Sequence, residues 1–479
     1  PDWQGIRPSV NLDEYTCQNL GLARVKFKFP DDVRYPCLPV RSNHGLIFPL
    51  EGETYCGSPE IHLARDLGAE IQIQNGVIVP WLNDTQPFMV FSGKVRENRK
   101  ALKKGSVFER TWKEIGNSVY GKIAQGLREK RVYDSRSAKS EILPRSEITQ
   151  PYLAAYITSL VRAVLSELIN GIPLDKVVVS ATTDGFITNA KKEYLDTTGP
   201  LATFFSSLAK QLTGNPEIIE QKHVVPQVLC MRTRGQLTIG ILDNLPTLQA
   251  KAGVQVPPEI VEEAIARRSD WPEELVPDEI KEEAENNWLL QKFFARQWDT
   301  RVPSWSLPSM RKMAKYDYDL VKEETEKRLS LEFDWKRELL EPETIMAGLT
   351  MGGGNPKHIS MSSKPIQNLE TFHQVRERFS RWRDTQQGVL KTEADWKHWS
   401  EFRERGEAAS KSPKPGRGKL VDQAKREFLR QYTNRENGYP GGRYAELARW
   451  LTEKGYPTTE TDIKNAKRAL KSDISWETK

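Results

Sequence analysis

From Ala23 to Phe29 the chain alternates strictly, with Val25, Phe27 and Phe29 on one side and Arg24, Lys26 and Lys28 on the other. A period of two is that of a strand with one face in a core and one in water. Pro30 to Pro39 is rich in turn formers, and Gly45 to Leu50 reads as a second strand. Ser58, Pro59 and Glu60 form a helix start, with a capping hydroxyl, a proline at the first position and an early acid. That helix is expected to stop at Gly68. Glu70 to Val79 reads IQIQ, then Asn75-Gly76, then VIV, the pattern of a hairpin with a two-residue turn.

The period then changes to that of helices. Lys94 to Lys104 is strongly basic, with Arg96, Lys100 and Lys103 on one face. Gly105-Ser106 breaks it, and Arg110 to Gly126 forms the next helix. So short a connection requires the two to run antiparallel. Gln150 to Asn170 is a long helix whose apolar positions, Leu153, Tyr156, Ile157, Leu160, Val161, Val164, Leu165 and Leu168, form a core stripe. Val177 to Thr188 reads as two strands around a turn at Thr183-Asp184-Gly185. Further strands are expected at Gln227 to Arg232 and Gln236 to Leu242.

Pro257 to Glu341 reads as helical and richly charged, with Trp271, Trp288, Trp298, Trp305 and Trp335 as packing anchors. Gly348 to Gly354 is a flexible break, and Lys411 to Lys419 is a basic Pro/Gly linker. Arg443 to Lys454 and Thr458 to Lys471 form two short helices around Gly455-Tyr456-Pro457. That is a helix-turn-helix shape, with Lys464, Lys467, Arg468 and Lys471 along one side of its second helix.

Composition narrows the class. With 479 residues, 38% hydrophobic and 28% charged, the chain can form two or three domains with a substantial core. No apolar run approaches the length of a bilayer span and no leader-like segment opens the chain, so a membrane is not among the expected partners. The expected location is the cytoplasm, bacterial or that of a host cell. The four cysteines, Cys17, Cys37, Cys56 and Cys230, include no C-x-x-C pair, which argues for free thiols over zinc or a disulfide framework. The net charge of +6 is unevenly placed. Arg376 to Lys479 holds 24 Lys and Arg against 16 Asp and Glu, whereas the residues before it hold 47 against 49. A polyanionic partner is therefore expected at the tail.

Candidate chemistry lies on the helical hairpin. Lys113, Asn117 and Tyr120 stand four and three apart, so a cation, an amide and a phenol share one face. Those groups could hold a phosphate, a sugar edge and a base plane, which together describe a nucleotide. The basic run before them would ordinarily be a solvated helix face. Its convergence with the Lys113 face points instead to a triphosphate. An Asp-Gly turn is ordinarily just a hairpin signal, so Asp184 carries little by itself.

Taken together, Lys113-x3-Asn117-Ser118-x-Tyr120-Gly121 and Thr183-Asp184-Gly185 between strands resemble family B DNA polymerases. The first string matches that family's K-x3-N-S-x-Y-G fingers motif. The second stands where its D-T-D palm hairpin is expected, with the long helix carrying Ile157, Thr158 and Arg162 between them. LIFPLEGETYCGSPEIHLARDLGA resembles the segment ahead of the fingers in the protein-primed and mobile-element, primer-independent branches. Met231 to Gly235 falls at the K-x-Y primer-contact position, and Phe333 to Arg337, FDWKR, resembles a thumb signature.

The resemblance implies an α+β fold: an antiparallel palm (1–93 and 127–256), helical-hairpin fingers (94–126) and a helical thumb (257–345). An extension (346–419) and a small all-α helix-turn-helix domain (420–479) follow. It implies a DNA-templated DNA polymerase replicating a virus or mobile element with dNTPs, a primer-template and two Mg²⁺ ions, and with other replication proteins as potential partners. Lys113, Arg96 and Lys100 would contact the triphosphate, and Asn117 and Tyr120 the nucleotide. Asp184 would bind metal, Arg232 and Arg234 would hold the primer end, and Lys464, Lys467 and Arg468 would contact DNA.

Two departures stand out. The family's first palm-hairpin Asp is Thr182 here. Its other essential Asp belongs to a D-x-x-x-L-Y-P motif, which the chain lacks, since Asp2 is followed by Trp-Gln-Gly. The expectation is a fragment truncated at its N-terminus, binding nucleic acid but polymerising poorly. A DNA-binding accessory or regulatory protein with a relic palm is the alternative.

Overall fold

The structure, a computed structural model, describes residues 1–82, 86–225, 228–233, 235–238, 249–251, 256–267, 278–294, 299–306, 312–314, 323–330, 332–344, 359–386, 393–404, 444–453 and 458–464. The chain divides into two compact units, Pro1–Ser400 and Glu401–Lys479.

The first unit opens with β1 (Arg7–Pro8), β2 (Leu20–Lys28), β3 (Val40–Ser42), β4 (Gly45–Ile47), β5 (Glu51–Gly57), α1 (Ser58–Asp66) and β6 (Glu70–Val79). Next come α2 (Met89–Ala101), α3 (Val107–Ile123), β7 (Arg131–Asp134), β8 (Lys139–Ile142), α4 (Pro151–Asn170), β9 (Val178–Ala181) and β10 (Phe186–Thr188). After α5 (Pro200–Thr213) follow β11 (Val228–Arg232), β12 (Gly235–Thr238), β13 (Gln249–Lys251), α6 (Pro258–Ala266) and α7 (Asp278–Phe294). The series continues with β14 (Asp299–Ser306), β15 (Glu323–Ser330), β16 (Arg337–Thr344), β17 (Ile359–Pro365), α8 (Leu369–Gln386) and α9 (Glu393–Glu404), and α10 (Tyr444–Glu453) belongs to the second unit. This is a mixed α and β chain with several small sheets.

The principal sheet is antiparallel, in the order β1-β6-β2-β5. The alternation seen in the sequence holds: Ala23, Val25 and Phe27 are buried while Lys26 and Lys28 are exposed. α1 and α4 pack here, and Tyr15, Leu20, Phe29, Leu38, Ile61, Tyr156, Leu160 and Leu168 complete the core. α4 is long and apolar enough to match a membrane span in length and composition, contrary to the expectation above. It is nevertheless a core helix: Tyr156 donates to the Cys17 carbonyl at 2.7 Å, and Arg162 pairs with buried Glu60.

The apolar stripe of α4 is divided. Tyr156, Leu160, Val164 and Leu168 enter the core, whereas Ile157, Val161 and Leu165 line a large cavity.

Three local expectations are corrected. Glu70–Val79 is one strand, not a hairpin, and pairs with β2 from Leu20↔Val79 to Lys28↔Glu70. Asn75-Gly76 sits beside a register shift, because Arg24 faces Asn75 while Val25 faces Ile73. The glycine serves close packing: a Cβ on Gly76 would lie 2.0 Å from the Tyr15 hydroxyl and 3.0 Å from the Ala23 Cβ. Second, Ser58 does not cap α1. Gly57 does, its N–H donating to Glu60 Oε2 at 3.1 Å, while Ser58 is buried against Gly21. Third, β5 lies where the sequence suggested no element.

The segment expected to be a helical thumb is helical only in its first half. α7 packs Trp288, Leu289 and Phe293 against Met231 and Leu237, and Asn286 clamps the backbone of Thr238 through bonds of 3.2 and 2.9 Å. Beyond it, β14 pairs with β15 over eight residues, and β16 with β17. Charged, helix-favouring residues such as those of Glu323–Ser330 were overridden by strand pairing. Pro303 and Pro342, which interrupt helices, were the unused signal.

The expected extension over 346–419 contains β17, α8 and α9, with Phe379, Trp382 and Trp399 buried around Phe333. Gly348 to Gly354 and Lys411 to Lys419 lie outside the described residues.

Candidate nucleotide and nucleic-acid site

α2 and α3 form the expected helical hairpin. Gly105 takes a φ of +81°, and the Ser106 hydroxyl accepts from the Glu109 N–H at 3.2 Å. Glu109 receives Arg99 at 2.8 and 3.0 Å, which locks the hairpin. The Arg99 hydrogen bond holds the Glu109 carboxyl below its ordinary value, with Lys113 adding to the effect. Arg99, unremarked in the sequence, is thus committed to structure. The helices approach closely because Gly116 has no side chain; a Cβ there would lie 3.0 Å from Val95 Cγ1.

Between the two helices runs a groove of about 790 Å³. Arg96, Arg99, Lys100 and Lys104 line it beside Phe91, Val95, Val119 and Tyr120. Three of the expected nucleotide contacts, Arg96, Lys100 and Tyr120, are therefore brought together. Lys113 and Asn117 are exposed on α3 and line neither this groove nor the larger cavity.

The larger cavity, about 990 Å³, also includes Tyr120. Its other walls are Ile157, Thr158 and Arg162 of α4, Val178 to Thr183 of the β9 hairpin, Val228 to Thr233, and Asp334 with Arg337. Tyr120 stands between the two spaces, its hydroxyl 2.6 Å from Thr158 Oγ1. Thr158 donates its own proton to the Ala154 carbonyl at 3.0 Å, so Tyr120 is the donor. No spacing along the chain signals this bond.

The hairpin at Asp184 forms as expected, with Phe186↔Ala181 and Ile187↔Ser180 paired. Thr182 closes its turn, donating to the Gly185 carbonyl from its N–H at 2.8 Å and its hydroxyl at 3.1 Å. Asp184 is exposed at the tip; it is Thr182 and Thr183 that line the cavity. Arg337 of the FDWKR string donates to Val178 O at 3.4 Å and to Ser363 Oγ at 2.6 Å, fixing this hairpin from below.

Arg232 lines the cavity and is paired with Glu332 at 3.1 Å; Glu332 also receives Arg383 at 3.3 Å. Glu332 is a residue the sequence did not single out. Arg234, Lys467 and Arg468 lie outside the described residues. Lys464 is exposed and pairs with Glu460 at 2.7 Å.

With this geometry in place, likeness to known proteins is informative. Residues 393–474 match the family described as the primer-independent DNA polymerase PolB C-terminal domain. The primer-independent DNA polymerase PolB of Escherichia coli is 40% identical over 484 aligned residues, covering 98% of this chain and 52% of that protein. The chain spans about half the length of this curated relative. Among solved structures, Phi29 DNA polymerase with primer-template DNA and incoming nucleotide is similar over 34% of this chain and 32% of that one, at 13% identity and a TM-score of 0.25.

The match to that family model runs from residue 393 to 474. Within it α10 buries Ala448 and Leu451 against Ile463. Thr459 and Asp462 cap one another at 2.8 and 3.3 Å, opening the next helix. The first helix of the expected helix-turn-helix is α10, and Gly455-Tyr456-Pro457 lie outside the described residues.

Among the described residues the carboxylates do not assemble a full ligand set for a pair of divalent cations. Among the described residues no three His, Cys, Asp or Glu side chains gather, and Asp184 is the only acid in its turn. One carboxylate does not neutralise two dications.

Proposed function

We propose that the intact protein is a DNA-templated DNA polymerase that extends or initiates chains from dNTPs. The observation that carries this is the 40% identity to PolB across 98% of the chain. The basic groove between α2 and α3 supports it, as does a cavity in which Tyr120, the Asp184 hairpin and Arg232 meet. In this proposal Arg96, Lys100 and Lys113 neutralise the triphosphate, while Asn117 and Tyr120 orient the nucleoside. Arg232 and Arg234 hold the primer end, and Lys464, Lys467 and Arg468 contact DNA. Asp184 would contribute one carboxylate toward Mg²⁺.

Primer extension by the product of the full coding sequence tests the proposal. Asp184→Ala should lower synthesis by at least a hundredfold while leaving DNA binding intact; unchanged synthesis would remove Asp184 from the site.

Thr182, where the family carries an acid, favours a second possibility: a DNA-binding accessory protein with a relic palm. A full-length product that binds DNA and incorporates no dNTP would establish it. Replacing the DNA template with RNA in the same assay would expose a different template preference.

A further inference from the structure

The tip of the α2–α3 hairpin carries a feature that the nucleotide groove does not use. Val107 and Phe108, at the first turn of α3, are 76% and 72% exposed. Isolated apolar side chains on a surface are unremarkable. Here two stand together at the end of a projecting hairpin, within one turn of Lys103, Lys104 and Arg110, all exposed. Among the described residues Lys103, Lys104 and Arg110 have no ion-pair partner; the nearby acid, Glu109, is occupied by Arg99. From Lys94 to Lys113 there are eight Lys and Arg against the two acids Glu97 and Glu109.

Nor is the tip a loose loop. Gly105 turns it, Ser106 caps α3, and Glu109 accepts from both Arg99 and the Gly105 N–H. An aromatic ring held on a rigid support amid uncompensated cations has the chemistry of a single-stranded nucleic-acid contact. A base stacks on the ring while phosphates meet the cations. A duplex hides its base faces and would use only the charges. A protein partner with an apolar surface would need those cations matched or displaced. We propose that the tip, Lys103 to Arg110, is a docking site for single-stranded DNA, with Phe108 as its stacking platform. This site adjoins the proposed nucleotide groove, with Lys104 at their shared edge, while Phe108 lines no part of that groove, and it does not depend on polymerase activity.

The test uses the full-length protein and fluorescein-labelled oligo(dT), with a duplex of equal length as control, by fluorescence anisotropy over a salt series. Phe108→Ala should weaken oligo(dT) binding by about tenfold, leave the salt slope and duplex affinity unchanged, and be rescued by Phe108→Trp. Lys103→Gln with Arg110→Gln should instead lower the salt slope by about one. Photo-crosslinking of a 5-iodouracil oligonucleotide should map to the peptide containing Phe108. Equal oligo(dT) affinity for wild type and Phe108→Ala, or equal loss on duplex and single strand, would overturn the proposal. So would a change in sedimentation on Phe108→Ala with unchanged oligo(dT) binding, which would make the tip a contact between copies. Primer extension on a primer-template with a single-nucleotide template overhang should be unaffected by Phe108→Ala, so failure of the tip and of the polymerase proposal are distinguishable.

Discussion

Glu60 sits almost wholly out of water, between the Arg162 guanidinium and the Gly57 N–H. Burial pushes its carboxyl above the ordinary value, against the pull of Arg162. A raised native value means that the native state holds the proton more readily than the unfolded chain. The associated stability is full at low pH and declines as pH rises through the raised value. Urea unfolding between pH 4 and 8 should show this decline in the wild type and lose it in Glu60→Gln, which keeps the shape without the charge. Glu60→Ala, which strands both partners, should cost about 2–3 kcal/mol. At the surface the sign reverses. Arg7 bonds Glu14 at 2.7 and 2.9 Å and holds its carboxyl down at about 2. That contribution is present above pH 4.5 and disappears as pH falls toward 2. Arg7→Gln should flatten this acid limb of the unfolding curve.

At the level of elements, strands and helices with one clear period were legible, as β2, α3 and α4 show. Local signals misled where a residue type serves two purposes. Asn75-Gly76 looks like a turn, yet Gly76 is small because Tyr15 and Ala23 crowd it in the middle of β6. Gly76→Ala should therefore destabilise the sheet by about 1–3 kcal/mol in urea unfolding; a neutral result would restore the turn explanation. Ser58 looks like a cap, yet the preceding glycine does that work and the serine packs on Gly21. In the distal part of the first unit, pairing between β14 and β15 outweighed helix-favouring composition, since ladder bonds are made between segments that single-residue propensity does not connect.

Over the whole molecule, the basic balance of the tail fits a polyanion partner, and the tail's effect on DNA should be separable from catalysis. Deleting residues 420–479 is expected to weaken DNA binding and flatten its salt dependence in anisotropy measurements. An unchanged slope would assign the tail another role. Of the candidate site, the shared helix of Lys113, Asn117 and Tyr120 and the place of Asp184 in its turn could be read from spacing, because helical and hairpin geometry is local; their roles came from the resemblance. The meeting of Tyr120 with Thr158, of Arg232 with Glu332, and of Arg337 with the β9 backbone joins residues 38, 100 and 159 positions apart. Only tertiary packing decides such contacts, since no repeat in the chain encodes which distant surfaces will exclude water from one another. By itself the sequence determined the chemical groups and their local order. The folded chain decided which cations remain free for a ligand, which are spent in ion pairs, and which half of the α4 stripe becomes the wall of a cavity.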